Sequence, residues 1–294
     1  MGILDGKGAV VTGGGRGIGR GHCLHLAANG ASVIVNDIDL DEAKKVAEEI
    51  AKDGGTANTS IADISTREGA AALVEQCASE FGGIQIAVNN AGNVRDKSFL
   101  KMSDDDFMSV VKVHMHGTFM VSQEAAIRMR DQGSGGSIIN TVSAAHFGSF
   151  GQSNYAGSKG AIASMTYTWA GELARYGIRV NAISPSGTTR MSATYKVAGK
   201  TVELPFIDPN QNGAFVAFLC SDDADYVTGQ IFGSGNNRVQ ILDQPAYGTA
   251  MYNLPNGWTV EELQQHFKNN LGKQLQPFGL MKNPYPFYDG VKAQ

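Results

Sequence analysis

The sequence predicts an α/β fold built on a doubly wound parallel sheet. Three observations point there. Short apolar runs alternate with helical patterns, the runs lack the polar alternation of a half-exposed strand, and glycines or carboxylates recur where the runs end. Strands joined by helices require right-handed crossovers, hence a parallel sheet covered on both faces. Unalternating apolar runs fit strands buried on both sides.

Taken in order, Gly8–Thr12 is the first strand, and the glycine-rich turn Gly13–Gly19 follows at once. Arg20–Asn29 reads as a helix stopped by Asn29-Gly30. Ser32–Asn36 is the second strand, with Asp37 after it; Asp39-x-x-Glu42 predicts a capping box for a helix running to Lys52. Thr56–Ala62 is the third strand with Asp63 at its end, and Ser65-x-x-Glu68 predicts a second capping box for a helix to Phe81. Ile84–Val88 is the fourth strand and runs into Asn89-Asn90-Ala91-Gly92. A long helix over Ser103–Asp131 leads to the strand Ser137–Thr141, then to a helix over Asn154–Tyr176 ended by Gly177. Arg179–Ile183 is a strand stopped by Pro185, Asp208-Pro209 opens a helix to about Ser221, and Gly229–Phe232 is the last strand. The organisation expected is one domain over 1–235 and a C-terminal extension over 236–294.

Composition narrows the function. The chain has 294 residues, 42% apolar and 18% charged, with a net charge of −4 and no basic stripe, so no nucleic-acid partner is expected. No apolar run approaches the ~20 residues of a membrane span, and no signal peptide is evident. Cys23, Cys77 and Cys220 are widely spaced with no C-x-x-C, which implies reduced thiols in a cytoplasmic compartment and no zinc site. The C-terminal Lys-Ala-Gln is not a peroxisomal address.

Ligands of such sheets bind past the carboxyl ends of the strands. Gly13–Gly19, Asp37, Asp63, Asn89–Gly92, Ser143 and Pro185–Thr189 all follow strand ends and so share one edge. Between a strand and a helix, Gly13, Gly17 and Gly19 suit a pyrophosphate approaching backbone N–H groups; the alternative is a plain turn. Asp37 is placed to accept hydrogen bonds from the adenosine ribose, and its charge would repel a 2′-phosphate, which favours NAD over NADP. Arg16 points the other way, since an arginine in this loop could meet that phosphate. Asp63 is either a turn residue or an adenine contact, and Asn89–Gly92 either brace the sheet or also line the cofactor.

Tyr155 and Lys159 are one helical turn apart, so both side chains share a face. A phenol titrates near 10, and bringing it to about 7 takes roughly 4 kcal/mol. One ammonium about 4 Å away, at an effective dielectric of about 20, supplies about that much. The pair therefore suits proton transfer at neutral pH, or it is a surface tyrosine beside a solvated lysine. Ser143, just after an apolar strand, could reach the same reacting oxygen.

Together, T-G-G-G-R-G-I-G at Thr12–Gly19, N-N-A-G at Asn89–Gly92, Ser143, Y-A-G-S-K at Tyr155–Lys159 and S-P-S-G-T at Ser184–Thr188 resemble the short-chain dehydrogenase/reductase family. The resemblance covers about 1–235 and implies a Rossmann-type sheet and a hydride-transferring enzyme. It makes Tyr155 the general acid/base, Lys159 the residue that depresses its pKa and holds the nicotinamide ribose, and Ser143 the group that polarises the carbonyl. It also implies that Gly13, Arg16, Ile18, Asp37, Asp63, Ile64 and Asn90 line the cofactor, with Ala91 and Gly92 beside them and Pro185 and Thr188 near the carboxamide. A homodimer or homotetramer through the two long helices is implied too.

Three departures stand out. His114 occupies the place of a frequent family asparagine and either holds the same proton-relay water or only packs; His116, two residues on, does not face the same point, so no metal site is expected. The Ser143–Tyr155 spacing is one residue shorter than usual, and Ser186 follows Pro185 where glycine is common. With His114, Phe150–Tyr155, Arg190-Met191 and Asn36-Asp37, the chain looks like the (3R)-hydroxyacyl-CoA dehydrogenase part of peroxisomal multifunctional enzyme type 2 and its bacterial relatives. A small-molecule substrate of the CoA-thioester kind is therefore expected, with a hydroxysteroid or other cyclic or aromatic secondary alcohol as the alternative. A protein that binds NAD without turnover is a further alternative, against which the intact Ser143, Tyr155 and Lys159 argue. Arg190–Phe206 is expected to form a substrate lid, whose Lys196 and Lys200 either meet CoA phosphates or are solvated. In the extension, Thr259-x-x-Glu262 caps a helix over Val260–Leu271, and the aromatics around Pro277-Phe278 and Pro284–Tyr288 are expected to form an arm packed on the sheet edge or a neighbouring subunit.

Overall fold

The structure is a computed structural model that describes residues 2–190, 196–197, 200–201, 206–235, 237–253, 257–276 and 279. In chain order it forms β1 (Gly8–Thr12), α1 (Gly17–Ala28), β2 (Ser32–Asn36), α2 (Leu40–Lys52), β3 (Thr56–Ser60), α3 (Arg67–Phe81) and β4 (Ile86–Asn89). There follow α4 (Asp104–Val111), α5 (Gly117–Gln132), β5 (Gly136–Thr141), α6 (Ser153–Leu173) and β6 (Ile178–Pro185). The remaining elements are β7 (Lys196–Val197), β8 (Lys200–Thr201), α7 (Gly213–Cys220), β9 (Ile231–Gly235), β10 (Arg238–Ile241) and α8 (Val260–His266). The sheet order is β10-β9-β6-β5-β4-β1-β2-β3, parallel throughout except for β10. The chain reverses its winding between β1 and β4, where the crevice of such a sheet opens.

Burial follows the two-residue period of the strands. On β1, Ala9 and Val11 pack with α1, α2 and α7 on one face, while Val10 packs with α3 and α5 on the other. Every residue of β1 is buried, which is why its sequence shows no polar alternation. Each fully buried valine or isoleucine of this kind contributes about 1.5–3 kcal/mol.

Several expected elements differ in detail. The long helix over Ser103–Asp131 is one helical run interrupted by a π turn, Lys112–His116, that separates α4 from α5. Ser103 caps it with Asp106 in a reciprocal box. The second predicted capping box fails: Thr66, not Ser65, caps α3, because the N–H of Ser65 already donates to Asp63 Oδ1 at 2.9 Å. Asp39 does cap α2, but Glu42 turns to Arg16 and Lys45 rather than back to the cap. β6 runs two residues further than expected and ends at Pro185, the last residue to pair with β9, after which Ser186 N–H bonds Ser234 O.

The strand expected to be last is followed by another. β10 folds back antiparallel on β9 through a turn that holds Asn237 at φ 63°, a left-handed conformation asparagine tolerates. The sheet therefore continues past residue 235. α8 has the predicted Thr259–Glu262 box in both directions, but ends at His266, and a 3₁₀ turn, Leu271–Lys273, follows. Leu242 N–H bonds to Ile231 O at 2.9 Å, so the extension starts along the sheet edge; no residue of α8 is buried. The Pro277-Phe278 and Pro284–Tyr288 arm, Met191 and the side chains of Lys196 and Lys200 lie outside the described residues.

His22 on α1 is fully buried with neither ring nitrogen hydrogen-bonded, and burial pushes it down to about 3. Its folded pKa lies below the unfolded value of about 6.5. Its neutral form therefore supports the fold above pH 6.5, and that support is lost as pH falls through about 3. His22→Leu is expected to remove part of the acid sensitivity in that window, up to about 4 kcal/mol near pH 3. Chemical denaturation at pH 7 and pH 4 checks this; an equal loss in both proteins would refute it.

Candidate active site

The glycine loop is held by the segment after β4. Thr12 Oγ1 accepts the N–H groups of Asn90 and Ala91, both at 3.0 Å, and Asn90 Nδ2 donates to the carbonyls of Thr12 and Gly13, both at 3.1 Å. The fit leaves no room for side chains. A Cβ on Gly13, whose φ is +63°, would lie 2.8 Å from Ala91 Cα; one on Gly19 would lie 2.1 Å from Gly13 O. α1 begins without a side-chain cap, so its first-turn N–H groups are offered to an anion. Gly187 and Thr189, after β6, come close to Ile18 and Gly17 and complete the loop's wall. This cradle fits a dinucleotide pyrophosphate, which Gly13, Gly17, Ile18 and Gly19 would face.

Asp37 stands just past β2. Its Oδ2 accepts Gly15 N–H at 3.1 Å and its Oδ1 accepts Asp39 N–H at 3.0 Å, so the carboxylate is fixed beside the loop. Arg16, expected to line the cofactor, is paired with Asp39 and, through Nε at 2.8 Å, with Glu42. Asp63 is exposed and bonds the backbone of Ser65, the turn role left open by the sequence. Ile64 is buried and packs on Gly117. Thr188 is exposed, its N–H donates to Ile207 O and its Oγ1 accepts Ile207 N–H at 2.9 Å. Pro185 sits in the β6–β9 ladder, and Ser186 beyond it is buried against Asn212.

The first turns of α6 carry Tyr155 and Lys159. Lys159 Nζ lies 5.6 Å from the centre of the Tyr155 ring and donates to Thr141 O at 2.5 Å. Lys159 is only 2% exposed, and burial lowers it to about 7. The ammonium is therefore not permanent: its charge is lost as pH rises through neutrality. Ser143 caps the 3₁₀ turn Ala144–Phe147, which packs on α6, and its Oγ accepts Ala145 N–H at 3.2 Å. A hydroxyl has one donor and two acceptor positions, so Ser143 keeps its O–H for another oxygen.

His114 comes from the π turn, a distortion frequent at functional sites. Its ring meets Tyr155 edge to face, with centres 5.1 Å apart. Burial, helped by the Lys159 charge, pushes it down to about 3. In the neutral ring, Nε2 lies 2.8 Å from Asn93 O and 3.0 Å from Asn93 N and can serve only one of them. The shorter contact assigns the proton to Nε2, which leaves Nδ1 a buried acceptor with no partner. Gly92 makes the space, since a Cβ there would fall 2.3 Å from His114 Cε1. His116 points elsewhere, stacked on Phe119. Among the described residues no cluster of three His, Cys, Asp or Glu side chains could hold a metal.

The structure thus brings Tyr155, Lys159 and His114 together at the end of the crevice. It also adds residues the sequence reading passed over. Asn93 holds the His114 ring and Thr141 holds the lysine. Asn154 is fully buried, and its Nδ2 donates to Arg95 O and Asp106 O, both at 3.0 Å, tying α4 and the loop before it to α6. Only Asn154 carried a signal, as the residue next to Tyr155.

The model of the short chain dehydrogenase family matches residues 7–198. The chain is 39% identical to hydroxyacyl-CoA dehydrogenase ChsB1 of Mycobacterium tuberculosis, over 82% of this chain and 81% of that protein. It is 38% identical to human (3R)-3-hydroxyacyl-CoA dehydrogenase, over 75% of this chain and 91% of that one. A solved short chain dehydrogenase from Mycobacterium avium superposes with a TM-score of 0.83 at 36% identity, covering 92% of this chain and 97% of the other. Its sheet, its motifs and these matches show that the chain belongs to the short-chain dehydrogenase family, oxidoreductases that act on CH–OH groups with a nicotinamide dinucleotide.

Proposed function

We propose that the protein is an NAD-dependent dehydrogenase that interconverts a secondary alcohol and a ketone, with a 3-hydroxyacyl-CoA thioester as substrate. The observation that carries the chemistry is the buried lysine beside a half-buried tyrosine at the mouth of the crevice. The nicotinamide ring, when bound, accepts or returns the hydride. In the oxidative direction the Tyr155 oxygen takes the alcohol proton, and in reduction it gives that proton back. The Lys159 ammonium favours the phenolate while it carries its charge. Ser143 donates its O–H to the substrate oxygen, and neutral His114 braces the tyrosine ring edge-on.

The substrate class follows the two relatives named above, both acting on hydroxyacyl-CoA by name. Steady-state rates on a 3-hydroxyacyl-CoA against free cyclic and aromatic alcohols test it. The thioester is expected to have the higher kcat/KM, and no preference for it removes this substrate. NAD rests on Asp37. Asp37→Ala is expected to shift the ratio of NADPH to NADH affinity towards NADPH, with a loss of loop stability because two backbone N–H groups lose their acceptor. An unchanged ratio counts against NAD.

We also infer a homodimer or homotetramer, to be checked by sedimentation at several concentrations; a monomer throughout refutes it. A reducing, cytoplasmic setting fits Cys23, Cys77 and Cys220, all free and buried, with Cys77 and Cys220 pushed up to about 12 by burial.

A further inference from the structure

We propose that Asp39 and Glu42 form an acidic clamp that keeps Arg16 away from the adenosine ribose and so excludes a cofactor carrying a 2′-phosphate. The inference rests on the NAD reading above and gives two further residues a part in it.

Arg16 is the cation of the glycine loop, at the residue before α1. A guanidinium there is well suited to a phosphate monoester, whose oxygens match its planar fork. Two of its nitrogens are already taken. Nη2 is paired with Asp39, and Nε meets Glu42 Oε2 at 2.8 Å. Both carboxylates come from the start of α2, where Asp39 is the cap and Glu42 donates its N–H to it at 3.4 Å. The cap is in turn bonded to the ribose-side carboxylate, through Asp39 N–H to Asp37 Oδ1 at 3.0 Å. Asp37, Asp39 and Glu42 thus form one connected acidic rim, and Arg16 is paired with two of its three carboxylates.

The charge balance works in the same direction. Three carboxylates, Asp37, Asp39 and Glu42, face two cations, Arg16 and Lys45, and leave a surplus of one negative charge. Arg16, and after it Lys45, hold the Glu42 carboxyl down at about 2, so Glu42 keeps its charge at neutral pH. An incoming 2′-phosphate would have to displace two carboxylates from the arginine and would then meet their uncompensated charge. Each pair is partly exposed and individually weak. Their effect comes from two anions of one helix end converging on one guanidinium.

The test uses the full chain with Asp39→Ser and Glu42→Ala combined. Serine keeps the N-cap of α2, and alanine keeps the Cβ that borders Gly15. NADH and NADPH are titrated by their own fluorescence, a binding readout independent of turnover. The double variant is expected to shift the affinity ratio towards NADPH by about tenfold to a hundredfold, the worth of a charge-assisted hydrogen bond. Adding Arg16→Ala is expected to abolish that shift, because the freed arginine causes it. If the wild-type chain prefers NADH but the ratio does not move, or moves equally without Arg16, the clamp is refuted and the NAD reading stands. If the wild-type chain binds NADPH at least as tightly as NADH, the NAD reading is refuted and the clamp with it.

Discussion

Tyr155→Phe is expected to lower kcat by about 10²–10⁴-fold, the usual worth of a positioned acid/base, while NADH still binds. The phenyl ring keeps the edge-to-face contact with His114 and the packing over Lys159, so the fold and the crevice survive. What disappears is the one oxygen that can exchange a proton with the substrate beside a charged lysine. Stopped-flow turnover and fluorescence titration of NADH on the same preparation separate the two effects. Retained turnover would overturn the acid/base assignment, and loss of both properties would point to a structural role for the hydroxyl.

Lys159→Met is expected to abolish efficient turnover and yet make the protein more stable at pH 7. Burial lowers Lys159 from about 10.5 in an unfolded chain to about 7 in the folded one. The unfolded chain therefore binds more protons between those values, and wild-type stability rises with pH across that window. At pH 7 burying the ammonium costs about 4 kcal/mol. Methionine removes that cost but leaves Thr141 O without its donor, worth about 1–3 kcal/mol. The net gain is about 1–3 kcal/mol at pH 7, and it should shrink as pH approaches 10.5. Denaturant unfolding of both proteins at pH 7 and pH 9.5 measures the difference. A variant less stable at pH 7, with no pH-dependent difference, contradicts the buried-lysine account.

The sheet was legible because β1, β2 and β4 are buried on both faces and read as short apolar runs, and β5 and β6 keep an apolar centre. The glycine loop and the tyrosine–lysine pair were legible because both depend on short sequence spacings. What escaped depends on contacts between distant segments. Arg16 gave no sign that Asp39 and Glu42 would take it. The π turn at His114 inserts a residue into a run whose periodicity suggests one plain helix. The loss of permanent charge on Lys159 follows from burial, which no local pattern reveals. β10 was missed because it is only four residues long and mostly exposed, with no buried apolar run to mark it.

The segment from Asn90 to Asn93 has a wider meaning. At one end it grips Thr12 and Gly13; at the other, the Asn93 carbonyl holds the His114 ring beside Tyr155. Four consecutive residues thus act as a strap between the glycine loop and the ring pair His114–Tyr155. With both buckles on one short piece of chain, a change that loosens either is expected to slacken the other.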